Sequence, residues 1–303
     1  MDWSLLLSSV AGLLGAPALF GVINRTKAFF AGRHGQPLLQ PYYDLAKLLR
    51  KGATYSRTTT WIFRAGPIVG LAAIGTALVI TPLGGAASLL AFPGDLVLWA
   101  YLLCLARFAT VLAALDTGSS FEGMGASREV LFSALAEPAL LLGLAVLVRQ
   151  AHSFSLSSII GSISAQAWVR EGPALGLVAI ALGIVLLAEN ARIPVDDPTT
   201  HLELTMIHEV MVLDHSGPDF ACIQYAAALK LWIFGALVIG LVVPVRSGHW
   251  AVDLAAFLAG MLGLAVLVGI VESSMARLRL LRVPKLLVGA TALAVVALVL
   301  VLV

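Results

Sequence analysis

Charge is scarce in this sequence. Only 12% of its 303 residues are Asp, Glu, Lys or Arg, about half the roughly 25% usual in soluble globular domains. A fold dissolved in water needs polar cover on its exterior. With 60% hydrophobic residues and a mean hydropathy of +0.97, that cover is missing. Disorder is excluded on the same grounds, because disordered chains are charge-rich and poor in apolar residues. A basic excess is lacking too: 19 Lys and Arg against 17 Asp and Glu leave +2, too little for a nucleic-acid-binding face. Cysteine is nearly absent. Cys104 and Cys222 both sit in apolar runs, which excludes a disulfide scaffold and a cysteine metal cage.

What is present is a series of apolar runs, each near the roughly 20 residues that a helix needs to cross hydrocarbon. Barrel strands would instead alternate at every second residue. The sequence predicts an all-α integral membrane protein, one polytopic domain over residues 1–303. About eight spans are expected, at residues 3–23, 66–83, 95–115, 129–148, 173–189, 222–243, 252–271 and 286–303. The first does not read as a cleaved signal peptide, since only Asp2 precedes it and Arg25 and Lys27 follow.

Eight spans make the loops alternate sides, so basic residues test the scheme. Loops after spans one, three, five and seven hold 14 Lys or Arg, the other loops hold Arg149, Arg170 and Arg246, and Arg107 and Lys230 lie within spans. The positive-inside rule places the basic loops in the cytoplasm of a bacterial or archaeal cell and both termini outside.

The polar stretches are two cytoplasmic loops, residues 24–65 and 190–221. In 37–52, Leu38, Tyr42, Leu45 and Leu49 recur at helical spacing while Asp44, Lys47, Arg50 and Lys51 point elsewhere. This predicts an amphipathic helix at the membrane interface, either a lipid-facing collar or the seal of a cavity. Residues 190–221 gather Arg192, Asp196, Asp197, His201, Glu203, His208, Glu209, Asp214, His215 and Asp219. The His and Glu spacing matches no metal signature, so no metal is expected. His with carboxylates titrates across physiological pH, which suits proton uptake; salt bridges to a partner subunit are the alternative.

Ionisable groups inside spans carry the third signal, because each costs on the order of 2.5–3.5 kcal/mol at the bilayer centre. Glu137 precedes Pro138, Glu129 lies eight residues earlier on roughly the same face, and Arg107, Glu189 and Lys230 occupy other spans. A buried carboxylate keeps its proton unless a cation approaches, so moving the neighbour moves the proton. The alternative is static pairing that holds helices together.

Several stretches together resemble a known family. They are Gly32-Arg33-His34-Gly35-Gln36-Pro37-Leu38-Leu39-Gln40-Pro41-Tyr42-Tyr43-Asp44 with Lys47-Leu48, Phe63-Arg64 with Pro67, and Ala106-Arg107-Phe108. Leu115-Asp116-Thr117-Gly118-Ser119, Gly125-Ala126-Ser127-Arg128-Glu129 with Glu137-Pro138, and Glu272-Ser273-Ser274-Met275-Ala276-Arg277-Leu278-Arg279-Leu280 complete the set. From about Gly21 to Arg282 the chain resembles the membrane subunit of formate hydrogenlyase and related energy-converting nickel-iron hydrogenases, homologous to a complex I membrane subunit.

The resemblance implies a non-catalytic anchor of eight helices. It would dock a soluble hydrogenase-like large subunit and an iron–sulfur small subunit, which hold the nickel-iron centre and the iron–sulfur clusters, beside antiporter-like membrane subunits. It would bind none of these cofactors itself and would couple electron transfer to proton or sodium movement. By motif, Arg128, Glu137, Glu189 and Arg192 match the family's polar cavity, and Asp196, Pro198 and Glu203 its acidic loop. Arg25, Arg33, Gln40, Asp44, Lys47, Arg64, Arg277 and Arg279 would serve docking or a quinone-like cavity. The acidic loop departs from the family: Thr199 and His201 stand where glutamates are usual, Asp197 is extra, and Asn24 replaces a glutamate. Those losses bear on the proton route or the ion carried. Two other readings stay open, a quinone-bearing subunit of a complex I-like oxidoreductase and an independent transporter; the second lacks the paired broken helices and repeats common in that class.

Overall fold

The computed structural model describes residues 3–84, 86–196 and 206–302. Ten α-helices follow one another, with no β-strand among the described residues: α1 (Trp3–Phe30), α2 (Gln40–Leu49), α3 (Trp61–Ile80), α4 (Asp95–Asp116), α5 (Ser120–Ala151), α6 (Leu156–Ser162), α7 (Ala165–Glu189), α8 (Gly217–Val242), α9 (Trp250–Ser274) and α10 (Val283–Leu302). Seven of them, α3, α4, α5, α7, α8, α9 and α10, are long and apolar enough to cross a membrane. The remaining expected span, 3–23, forms the start of α1, which packs against α8 and α9.

Local chemistry sets the helix ends. Thr60 caps α3, its Oγ1 accepting from the Ile62 N–H at 3.2 Å. Asp116, the last residue of α4, accepts from the Thr60 N–H at 2.6 Å, the Thr60 hydroxyl at 2.8 Å and the Phe63 N–H at 3.3 Å. Those orphan donors of a helix start favour a negative partner. At the opposite end, fully buried Asp95 accepts from the Ser155 hydroxyl at 2.9 Å and the Leu156 N–H at 2.7 Å, starting α6. The short α6 has no counterpart among the expected elements, because seven residues give no period to read. α7 bends at Glu171, whose φ of −122° departs from helix, two residues before Pro173. The expected span 173–189 is therefore only the straight part of this helix. α1 runs seven residues past its expected end, because Arg25 and Lys27 read as loop residues yet continue the helix.

The long helices alternate in direction, so α2, the starts of α3, α5, α8 and α10, and the ends of α1, α4 and α9 share the basic face. Contacts run α9–α1–α8–α3–α4–α5–α10–α7, and α7 returns to touch α8. Trp99, Phe234, Leu144 and Leu182 pack the centre, all 1% exposed or less, and the Trp99 indole N–H reaches the Thr81 hydroxyl at 3.0 Å. The α3–α4 crossing is close because Gly66 has no side chain: a Cβ there would stand 2.7 Å from that of Ala113. α2 lies across α1 and α8 with no buried residue, as the amphipathic pattern of 37–52 predicts. Its Tyr42 hydroxyl donates to the Leu14 carbonyl, and the Leu38 carbonyl sits directly on Gly21.

Candidate functional site

α7 stops at Glu189, yet the chain stays inside the bundle, with residues 192–196 all buried. Irregular backbone at such depth needs protein cover or a cavity. Glu189 ends the helix, where the dipole is negative and a carboxylate is disfavoured unless cations approach. Two do. Arg107, the thirteenth of 22 residues in α4, places Nη2 2.6 and 2.7 Å from the two Glu189 oxygens. Lys230 of α8 lies 2.8 Å from Oε2. Arg107 Nη1 also donates to Glu137 at 2.6 Å, and its Nε lies 3.9 Å from Glu129, both on α5. Four helices thus converge on three carboxylates and two cations, which gathers the charges expected within the spans into one cluster.

Cavities meet at this cluster. One of about 90 Å³ between α3, α4 and α8 is lined by Glu129, Glu189, Lys230 and His208. A gap of about 10 Å³ joins Glu129 and Glu189 to Asp196 and Ser133, close to the space one water needs. A third, of about 380 Å³, lies on the far side, with Arg107, Glu137 and Glu189 at its floor. Asp196, Glu129, Glu189 and Glu137 therefore succeed one another from the basic face to mid-span.

A second group forms where the 192–196 segment meets the end of α9. Glu272, 5% exposed, pairs with Lys27 at 2.9 Å and Arg192 at 3.4 Å. The Arg192 guanidinium also stacks on Phe20, 4.5 Å from the ring centre. Asp196 pairs with Arg277 at 2.9 Å and accepts from the Ile207 and His208 N–H groups at 3.2 and 3.1 Å. Lys27 and Glu272 are given no site role by sequence, although Glu272 opens one of the stretches that carry the family resemblance; it stands at the end of an apolar run, and its partners show what it does.

Other expected residues fall elsewhere. Arg128 points away from the cluster, donating to the Met206 carbonyl at 3.0 Å and reaching Met124 Sδ at 3.1 Å, so it holds the returning 206 segment. Glu209 begins a 3-10 turn, Glu209–Val212. Gln40 donates to Asp44 at 2.9 Å along α2. Arg25 reaches the Gly35 carbonyl at 3.4 Å, and Arg64 covers Tyr55 at 4.1 Å. Arg33, Lys47 and Arg279 are exposed on the basic face. Asp197, His201 and Glu203 lie outside the described residues. Among the described residues no three His, Cys, Asp or Glu side chains gather as metal ligands.

Two more buried groups stand beside the α8 start: Glu122, which the sequence reading passed over, and His215, one of the ionisable residues gathered in 190–221. Glu122, 1% exposed, accepts from the Asp214 N–H at 3.2 Å. His215 stacks on Phe63 with ring centres 3.9 Å apart and planes 7° from parallel. Burial holds its pKa below the usual value, against the pull of Asp219 and Asp214.

Comparisons with known proteins agree with this architecture. The family model described as NADH dehydrogenase matches residues 4–303. Formate hydrogenlyase subunit 4 of Escherichia coli K12 is 32% identical over 283 residues, covering 89% of each chain. Hydrogenase-4 component C of the same organism is 31% identical over 284 residues, covering 91% of this chain and 88% of that one. Among solved structures, a chain of the archaeal membrane-bound sulfane sulfur reductase, a respiratory membrane complex, superposes with a TM-score of 0.84 over 98% of both chains at 22% identity. That likeness carries the fold, and the family rests on the sequence matches: the chain belongs to the NADH dehydrogenase family of multi-pass membrane subunits.

Proposed function

We propose that this chain is the membrane anchor and coupling subunit of a hydrogenase or formate hydrogenlyase-type complex. Its basic face, cytoplasmic by the positive-inside rule, docks a soluble arm made of a nickel-iron large subunit and an iron–sulfur small subunit. Those partners hold the redox centres. This chain supplies a proton, or sodium, path toward antiporter-like neighbours in the membrane. The relatives named formate hydrogenlyase subunit 4 and hydrogenase-4 component C support the assignment of partners.

The observation that carries the coupling role is the charge arithmetic at Arg107. A static ion pair would balance, whereas among the described residues Glu129, Glu137 and Glu189 pair with two cations, Arg107 and Lys230. With every group ionised the cluster holds one negative charge in excess, which in a low-dielectric interior favours binding one proton or cation. A shift of Arg107 by an ångström or two reassigns the excess from one acid to another, and the adjoining cavities give that ion an entry and an exit. The 192–196 segment links the site to the basic face through Asp196–Arg277 and Arg192–Glu272, so docking there bears on the cluster.

Where α2 crosses α1 and α8, Leu38 sits on Gly21, and the Tyr42 and Tyr225 hydroxyls donate to the Leu14 and Leu13 carbonyls. Glu137→Gln tests the reading. It keeps the shape and removes one charge, so the complex assembles and retains electron transfer while ion translocation into membrane vesicles falls at least tenfold. Unchanged translocation removes Glu137 from the path; loss of co-purification with a redox arm from the wild-type chain overturns the assignment.

A further inference from the structure

The cluster is not enclosed on all sides. The Glu137 side chain is 43% exposed, whereas those of Arg107 and Glu189 are 10% and 3% exposed. Glu137 is the eighteenth of 32 residues in α5, far from either helix end. It opens into the 380 Å³ groove between α4 and α5, whose back wall is the buried ring of Phe234.

The rim of this groove is apolar. On α4, Val97 and Tyr101 are 47% and 69% exposed, followed by exposed Cys104, and on α5 Leu141 is 53% exposed; Phe108, 57% exposed, continues the α4 face beyond the groove. The α4 positions recur at intervals of four, three and four, a single stripe along about 16 Å of helix. Lipid tails suit that rim but cannot satisfy the carboxylate beneath it. Among the described residues, only Glu137 Oε1 is engaged, by Arg107. A half-open anion at such depth is expensive unless a donor covers it, and the excess negative charge of the cluster asks for a cation.

We infer that the α4–α5 groove is the seat of a membrane-spanning helix from a neighbouring subunit, which lays an apolar face along the α4 stripe and presents a lysine or arginine to Glu137. The inference rests on the proposed function, since it needs a complex with further membrane subunits, and it adds where one of them sits and what it carries. It also gives the ion on Glu137 a recipient: approach of the partner's cation favours ionised Glu137, and its withdrawal favours the proton.

A photoreactive benzoylphenylalanine at position 101 tests this in native membranes holding the whole complex, with the same probe at Leu267 on α9, 55% exposed, as the comparison. The expected result is a covalent adduct from position 101, absent from position 267, joining this chain to a membrane subunit. Peptide mapping then finds Lys or Arg within two turns of the attachment point. Should position 101 prevent assembly, the probe moves to Leu141 on the opposite wall. Adducts to lipid alone, or to a helix without a basic residue at that level, overturn the inference. Co-purification of the soluble arm is scored on the same sample. If the arm is present and the adduct is lipid, this inference fails alone; if no arm co-purifies, the proposed function fails with it.

Discussion

Arg107 faces Glu189 with a single nitrogen, Nη2 lying 2.6 and 2.7 Å from both carboxylate oxygens, which leaves Nη1 for Glu137. A lysine has one ammonium at the end of a flexible stem and cannot span both acids with a planar fork. Arg107→Lys is therefore expected to keep assembly but lower ion translocation severalfold, measured in sealed vesicles. Arg107→Ala leaves three carboxylates with Lys230 alone. Breaking a buried pair in this way costs roughly 3–5 kcal/mol, so its thermal midpoint in detergent should fall by several degrees more than that of Arg107→Lys. Equal midpoints would show that the cluster does not hold α4, α5 and α7 together.

Lys230 and Glu189 give a sharper version of the same logic. Glu189→Gln strands Lys230 in the bundle, and Lys230→Met leaves Glu189 to Arg107 alone. Each single change should destabilise the chain by a few kcal/mol, while the double variant should be less damaging than the sum, because it leaves neither member of the Glu189–Lys230 pair buried without the other. The measurement is a double-mutant cycle on the thermal midpoint. Additive losses would mean that the 2.8 Å contact carries no coupling.

The Asp116 carboxylate ties the start of α3 to the end of α4 through three donors. Asp116→Ala removes all three acceptances at a helix start, and caps of this kind are worth about 0.5–2 kcal/mol. Asp116→Asn keeps one carbonyl acceptor and should recover part of the loss. The reading is the thermal midpoint of each variant, with midpoints in the order wild type, Asn, Ala.

Much of this molecule is legible in the sequence because membrane helices declare themselves by apolar length alone. The spans at α4, α8 and α9 lie within a few residues of their expected bounds for that reason. The ends of α1, α5 and α7 do not. Exposed Arg25 and Arg170 and buried Glu122 all continue a helix past its apolar run, and apolar length alone does not mark that. For the site, the cost of burying charge marks Arg107, Glu137, Glu189 and Lys230 individually. Their convergence depends on which helices touch, which no spacing along the chain encodes. Arg128 shows the converse: it sits beside Glu129 in sequence but turns to the Met206 carbonyl.

Gly21 and Gly75 both lie in helix interiors, yet their surroundings differ. A Cβ at Gly21 would run into the Leu38 carbonyl, a backbone atom, whereas one at Gly75 meets nothing within 4 Å. Gly21→Ala should push the segment leading into α2 off α1 and speed protease cleavage within residues 31–60 severalfold. Gly75→Ala should leave cleavage unchanged and stabilise α3 by about 0.5–1 kcal/mol. Identical cleavage rates would show that α2 is not seated through Gly21.

His215 makes the anchoring of the α8 start sensitive to pH, and the sign follows from its burial. Its pKa in the fold is below the ordinary value near 6.5, with burial the dominant cause. The unfolded chain therefore binds the proton more readily, and stability rises with pH through this window. The contribution is fully present above the unfolded value and is lost as pH falls toward and through the lowered folded one. The charged groups facing it are Asp214 and Asp219, which oppose the shift; Phe63 stacks on the ring and adds no charge. Wild-type protein should thus lose thermal midpoint between pH 7.5 and 5.5, and His215→Phe, which retains an aromatic against Phe63, should lose less over the same interval. A variant whose pH profile parallels the wild type would place the dependence on another group.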